Sequence, residues 1–354
     1  MGDEILAINN EPAFTVLTQL RLLLPCDGYS QAYRDYKLEQ NSFRALYNFM
    51  HGNPPDFLIT YRSGAVVKTK VVKASVTSLK PVTDNGRTDK QQTGSTHRAL
   101  GLDGPDSLKH KIFYPADISS TAIVKIADFT YVDDFESFHK KLFKELQQKK
   151  IENLVIDLRN NPGGKDEVCI DMMKYFMASD FRYTQKNEWV VNADKVKKFI
   201  AFAATRPQPA IADFSTIDHK FSSETTEPEH PRRGKNAFKG KIYILINHGT
   251  FSAASLMATA IKEQRQCTLI GEETGGGRAG SDAGMGADIV LPYTRCEVLI
   301  PLSWTYSMTS MPDEGEGLKP DINFTPNAQE LYDDMYKKTD PFNKVIKTTI
   351  VSGK

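Results

Sequence analysis

The 354-residue sequence has no run of about 18 consecutive apolar residues, the length a helix needs to cross a bilayer. Its first residues, MGDEILAINN, lack the basic flank and apolar stretch of a signal peptide. An excess of one charge is missing as well. Lys and Arg number 45 against 44 Asp and Glu, a net charge of +1. That balance gives no electrostatic case for nucleic acid or an anionic membrane as the main partner. Cysteine is scarce: Cys26, Cys169, Cys267 and Cys296 form no CxxC pair. Their scatter argues against a zinc site or a redox dithiol and reads as four buried apolar residues. Neither a metal nor a cofactor is expected. What is present, 40% hydrophobic and 25% charged residues, suffices for one large or two medium domains. The chain opens inside what reads as a strand, so the expectation is that the natural protein begins earlier.

Residues 1–76 read as a small mixed domain. A strand at GDEILAINN is followed by helical spacing in FTVLTQLRLLL and a hairpin in FLITYRSGAVVKTKVVKA that turns at Ser63-Gly64. Residues 77–115, rich in Gly, Thr, Asp and Lys, form a linker or long loop. His97 and His110 fall there and are expected to be solvated.

A second pattern occupies 116–335. AIVKIADF is strand-like. DDFESFHKKLFKELQQKK is amphipathic, with Phe135, Phe138, Leu142 and Leu146 on one face and His139 on the polar side. ENLVIDLR, KGKIYILIN and CTLIGEE read as buried strands, with helices after the first two. Strands alternating with helices predict α/β layering around a parallel sheet. A polar insertion at 181–238 interrupts the pattern, and 336–354 is a tail.

The segment INHGTFSAASLMATAIK, 246–262, places Ser252 where a strand turns into a helix. Backbone N–H groups at a helix start can stabilise an oxyanion formed when Ser252 attacks a carbonyl. The structural alternative is a helix cap, by Ser252 or Thr250, worth about 1 kcal/mol. In LVIDLRNNPGG a strand runs into a Pro-Gly-Gly turn. An N–H of Gly163 or Gly164 there could complete a two-donor oxyanion hole with that of Ala253. Asp157 and Arg159 on that strand read as a structural charge pair. The GGGRAG stretch at 275–280 formally matches GxGxxG but precedes a strand-like segment. It therefore reads as a loop beside a pocket, not a dinucleotide site.

Together NLVIDLRNNPGG, NHGTFSAAS, LIGEETGGG and GEGLKPDINFTP resemble, in order, motifs of the serine peptidases that include C-terminal processing (tail-specific) proteases and the tricorn core protease. The resemblance implies a ClpP/crotonase-like α/β core, preceded by a partial, PDZ-like domain over 1–76. It implies a serine endopeptidase working through an acyl-enzyme on Ser252, with peptide or protein as substrate; the sequence leaves a homo-oligomer open. It also implies an exported protein, periplasmic or cell-envelope. The C-terminal processing branch takes its base from a lysine where this chain has Gly277, followed by Arg278. The tricorn-like branch uses serine, histidine and glutamate, and Glu314 matches the glutamate, with Glu316 as the near alternative. The base itself is unknown. His248 is the histidine nearest Ser252 in sequence; His51, His219 and His230 read as structural or as part of the insertion. The alternative function is a catalytically inactive peptide-binding homologue of the same fold. A crotonase-like acyl-CoA enzyme shares the layering but has no need of the serine.

Overall fold

The computed structural model describes residues 2–75, 110–130, 134–189, 233–234, 237–282, 286–291, 293–301, 303–337 and 339–352. Linker residue His97 and the insertion histidines His219 and His230 lie outside them. The first part of the chain runs β1 (Glu4–Ile8), β2 (Glu11–Pro12), α1 (Ala13–Arg21), α2 (Ala32–Lys37), α3 (Phe43–His51), β3 (Asp56–Ser63) and β4 (Val66–Lys73). The chain divides into two compact units. One holds Met1–Pro25, Lys37–Gly101 and Pro326–Lys344; the other holds Cys26–Tyr36, Leu102–Thr325 and Val345–Lys354.

The first unit carries a four-stranded sheet in the order β2-β1-β3-β4. The helical spacing expected of FTVLTQLRLLL buries Val16 and Leu20 of α1 against Ile8 of β1, Leu38 and Tyr47.

The second unit is built on a six-stranded sheet. Its strands are β5 (His110–Phe113), β6 (Thr121–Ile126), β7 (Asn153–Asp157), β9 (Lys241–Ile246), β10 (Cys267–Gly271) and β15 (Ile322–Asn323), in the order β15-β10-β9-β7-β6-β5. All neighbours pair in parallel except β5, which lies antiparallel on β6. Three helices form the crossovers: α4 (Phe135–Gln148), α5 (Asp166–Lys174) and α6 (Ala253–Gln264). Strand order follows chain order without reversal, so right-handed crossovers put these helices on one face. The core shows this directly. Ala122, Val124 and Ile126, Leu154 and Ile156, and Ile242, Ile244 and Ile246 alternate toward Leu142 and Leu146 of α4, Val168 and Met172 of α5 and Met257 and Ile261 of α6. The remaining positions Ile123, Val155, Tyr243 and Leu245 are buried too, as expected of a parallel sheet covered on both faces. This unit also holds a three-stranded sheet of β11 (Gly280–Ser281), β14 (Ser303–Ser307) and β8 (Thr184–Trp189), in that order, and a hairpin of β12 (Gly286–Val290) and β13 (Glu297–Pro301). Among the described residues no helix is long and apolar enough to cross a membrane.

Three expectations are corrected here. His139 is fully buried, not on a polar face, because the buried face of α4 widens where α5 packs on it and brings Asp171 Oδ2 to 2.8 Å from His139 Nδ1. His110 is not in a solvated linker. It begins the edge strand β5, 5% exposed, with its ring stacked 5.8 Å from that of His139. Of the four cysteines, all free, only Cys169 is fully buried, and Cys296 is exposed.

Burial and the neighbouring His139, only partly opposed by Asp128, push His110 down to about 3. The folded state therefore holds this ring neutral while the unfolded chain protonates it near its ordinary value of about 6.5. Below that value the unfolded state binds the extra proton, so stability is lost as pH falls. The expected slope from this residue approaches about 1.4 kcal/mol per pH unit between about pH 6 and 4. Urea unfolding of His110→Leu across that range should show the slope reduced by this amount; an unchanged slope contradicts the assignment.

Candidate active site

Strands β7 and β9 are parallel neighbours, pairing Asn153 with Lys241 through to Asp157 with Leu245. Their carboxyl ends therefore deliver two turns side by side. The β7 turn holds NNPGG and the β9 turn holds the segment leading to Ser252.

Backbone hydrogen bonds and buried side chains lock the β9 turn. Thr250 N–H donates to Asn247 O at 2.8 Å and Asn247 N–H to Thr250 Oγ1 at 3.1 Å. Thr250 Oγ1 in turn donates to Leu158 O, at the end of β7, at 2.8 Å. Ser255 Oγ donates to Thr250 O at 3.0 Å. Ser252 then occupies the N-cap position of α6 with φ 49° and ψ −128°, and its side chain makes no capping hydrogen bond. A non-glycine residue in this region costs on the order of 1–3 kcal/mol and persists only where the surroundings impose it. The cap reading therefore fails for Ser252: the residue holds a strained backbone and its half-buried hydroxyl makes no capping bond.

Asn161 ties the second turn to the first. Fully buried, it donates from Nδ2 to Ile126 O at 3.0 Å, accepts Gly163 N–H on Oδ1 at 2.9 Å, and accepts Phe251 N–H on its backbone oxygen at 2.9 Å. The two glycines that follow approach other backbone so closely that no side chain fits. A Cβ on Gly163 would lie 2.8 Å from Ala253 N and 2.8 Å from Ser252 Cβ; one on Gly164 would lie 2.3 Å from Phe129 O. Both have positive φ, 98° and 147°. Ser252, Ala253 and Gly163 are thus in direct contact. The Gly163 amide is engaged by Asn161, whereas the amides of Gly164 and Ala253 have no hydrogen-bond partner among the described residues.

Asn161→Ala removes two buried side-chain hydrogen bonds, to Ile126 O and from Gly163 N–H. The expected cost is about 2–4 kcal/mol, read as a fall in the urea midpoint. A loss under 0.5 kcal/mol would contradict the linking role.

The other candidates are placed as follows. Glu314, 60% exposed, accepts a hydrogen bond from Arg278 Nη2 at 2.8 Å; Arg278 itself is 4% exposed and also donates to Pro312 O at 3.1 Å. Glu316 pairs with Lys319, and its backbone oxygen accepts Arg278 N–H at 3.0 Å. Gly277 N–H donates to Asp27 Oδ2 at 3.0 Å. Burial raises the Asp27 carboxyl, and Asp282 adds to this against the pull of that hydrogen bond. His248 is half-buried, and among the described residues no hydrogen bond joins it or Glu314 to Ser252. Asp157 and Arg159 form a bidentate pair, with Arg159 Nε and Nη2 donating to Oδ1 and Oδ2 at 2.8 and 2.7 Å.

Two groups beside the turns were not singled out from sequence. Segment Cys26–Tyr36 clusters with the second unit, and Tyr33 stacks on Phe251 with centroids 4.1 Å apart. Nothing in its composition marks that placement. Asn161 was legible in principle, since Asn-Pro-Gly is a turn signal in which the Asn side chain commonly binds the backbone two residues on.

The family model for Peptidase family S41 matches residues 120–324, more than half of the chain and the whole span of both turns. The chain belongs to peptidase family S41. Its curated relatives include carboxy-terminal processing protease CtpB of Bacillus subtilis (strain 168), 28% identical over 43% of this chain and 24% of the relative. Another is the carboxy-terminal-processing protease of Bartonella bacilliformis, 25% identical over 61% of this chain and 41% of the relative. The chain thus spans about a quarter to two fifths of the length of these relatives. Among solved structures, mature CPAF superposes with a TM-score of 0.60 at 15% identity, covering 100% of this chain and 78% of that one, a likeness of fold. The mixed α/β architecture is that of S41 peptidase structures.

Proposed function

We propose that this chain is a serine endopeptidase that cleaves extended peptide through an acyl-enzyme on Ser252. The observation that carries the reading is the backbone of Ser252. It is strained, makes no cap, and lies between a helix-start amide and a Gly-Gly turn pressed against it. Strain of this kind at a strand-to-helix serine presents a nucleophile in other hydrolases. Attack of Ser252 Oγ on a carbonyl carbon moves the carbonyl π electrons onto oxygen. The Ala253 and Gly164 amides, which have no partner among the described residues, suit that oxyanion better than Gly163, whose N–H is engaged. The base that takes the serine proton is not assigned; His248 remains the candidate nearest in sequence. Glu314 would orient a histidine, sharing its carboxylate with Arg278.

The domain reading belongs to the same proposal: a PDZ-like domain over 1–76, a linker at 77–115 whose last residues form β5 of the core sheet, a ClpP/crotonase-like peptidase core over 116–335 with an insertion at 181–238 whose first residues, Phe181 and Tyr183, pack into that core, and a tail at 336–354. The four-stranded sheet with α1 and α3 supports the first, and the one-directional parallel sheet with its helices on one face supports the core. The substrate would be presented as an added strand. Export belongs to the same proposal on the strength of the family resemblance, and a homo-oligomer is compatible with it.

A second reading has its own support. Glu314 is held by an arginine, and Gly277 offers no lysine. Both fit a peptide-binding homologue without turnover. Incubation with a fluorophosphonate and with a peptide library followed by mass spectrometry separates them. The first reading expects a single adduct on Ser252 and cleaved peptides. Peptide binding unchanged by Ser252→Ala, with no adduct and no cleavage, supports the second.

A further inference from the structure

We propose that Tyr183 is a positioning residue of the nucleophile turn: its hydroxyl holds the Ala253 carbonyl and, through Asp166, the turn that carries Gly164. This rests on the reading of Ser252 given above. Tyr183, 3% exposed, sits just before β8 (Thr184–Trp189) with its ring in the core. Its Oη lies 3.0 Å from Ala253 O and 3.0 Å from Asp166 Oδ1. Ala253 follows Ser252, and Asp166 comes two residues after Gly164. One hydroxyl therefore bonds the residue after Ser252 and the residue two beyond Gly164, joining the two segments whose Ala253 and Gly164 amides have no partner among the described residues. Ala253 O is one peptide plane from the Ala253 N–H, so fixing it restricts the direction of that donor. Cys169 Sγ, 3.9 Å from Ala253 O, is a weak donor and does not replace the phenol.

A phenol has a single proton to donate. Ala253 O only accepts. Asp166 accepts when ionised and donates to Tyr183 Oη when protonated, which leaves the phenolic proton on Ala253 O. The protonation of Asp166 thus decides which neighbour Tyr183 holds. Asp166 is exposed as a residue, but its Oδ1 turns inward to Tyr183. Burial and Glu167 raise its carboxyl against the opposing Tyr183 bond and Lys165. The groups facing it are Lys165 and Glu167 on its own segment, Cys169 on α5 and Tyr183; burial keeps the last two protonated. The pKa of Asp166 is raised, so the clamp on Ala253 O is complete below that pKa. It loosens as pH rises through it, because the charged carboxylate then outcompetes the carbonyl for the phenolic proton.

The test follows inactivation of the full chain by a rhodamine fluorophosphonate, with kinact and KI measured from pH 4 to 9. Tyr183→Phe should lower kinact about tenfold with KI within twofold, as the loss of one buried hydrogen bond in a transition-state donor would do. Asp166→Asn, whose amide donates to Oη at every pH, should keep the parent's low-pH kinact and lose the fall with rising pH that the parent shows. The other limb, set by the base, should remain in both. Hydrogen exchange of segment 253–257 is read on the same samples and should be about tenfold faster in Tyr183→Phe. Unchanged exchange and an unaltered pH profile in both variants overturn the clamp. A parent that never labels Ser252 overturns the peptidase reading instead, and exchange still decides the clamp. Should Tyr183→Phe fail to fold, Asp166→Asn alone carries the decision.

Discussion

If Ser252 is the nucleophile, Ser252→Ala should abolish labelling by a fluorophosphonate and lower peptide hydrolysis by more than about 10⁴-fold, the scale on which nucleophile removal acts in other serine hydrolases. Its effect on stability has the opposite sign. Ser252 sits at φ 49° and ψ −128° without a cap bond, so the hydroxyl contributes nothing local to the helix start. The alanine protein therefore unfolds at the same urea concentration as the parent or slightly above it. This separation distinguishes a nucleophile from a cap: loss of a capping serine costs about 1 kcal/mol and leaves chemistry intact. Thr250 shows the contrast within the same turn. Its hydroxyl bonds Leu158 O and accepts Asn247 N–H, so Thr250→Ala should cost stability. A Ser252→Ala protein that still labels, or that loses more than about 1 kcal/mol, contradicts the reading.

Gly163→Ala should be nearly as damaging to activity, by a different route. The new methyl group would meet Ala253 N and Ser252 Cβ at 2.8 Å, and neither neighbour is the far end of a flexible side chain. Backbone must shift, and the φ of 98° adds strain for any L side chain. Relief moves the Pro-Gly-Gly turn away from α6 and separates the Gly164 and Ala253 amides. Loss of one oxyanion donor costs about 10²–10³-fold in kcat, and that is the expected fall in hydrolysis. The urea midpoint should fall as well. Substituting Pro162, exposed and one residue earlier, should do neither, which controls for general disturbance of the turn. Full activity in Gly163→Ala would remove the geometric basis of the site.

The strands and helices that carry both turns were legible because their apolar residues repeat with the right period. ENLVIDLR and KGKIYILIN are continuous apolar runs, as strands buried on both faces must be, and α4 shows a clear stripe. The contact between turns was legible only as a possibility of chemistry, since β7 and β9 are separated by more than eighty residues and pairing is not written locally. His110 and His139 were misread for a related reason. A polar ring on a helix looks solvated until its partner, here Asp171 on α5, is in place. Glu314 rests on the family resemblance of the segment DEGEGLKPD. Its pairing with Arg278 depends on how the GGGRAG loop folds back, which a glycine-rich sequence leaves open. The strain at Ser252 has no sequence signature beyond its place between strand and helix.

The most direct measurement is a crystal structure of the protein soaked with a peptidyl boronic acid. The account predicts boron bonded to Ser252 Oγ, with one boronate oxygen about 2.7–3.1 Å from the backbone nitrogens of both Ala253 and Gly164. A boronate oxygen pointing to solvent or to side chains, or boron bonded to another residue, would contradict it.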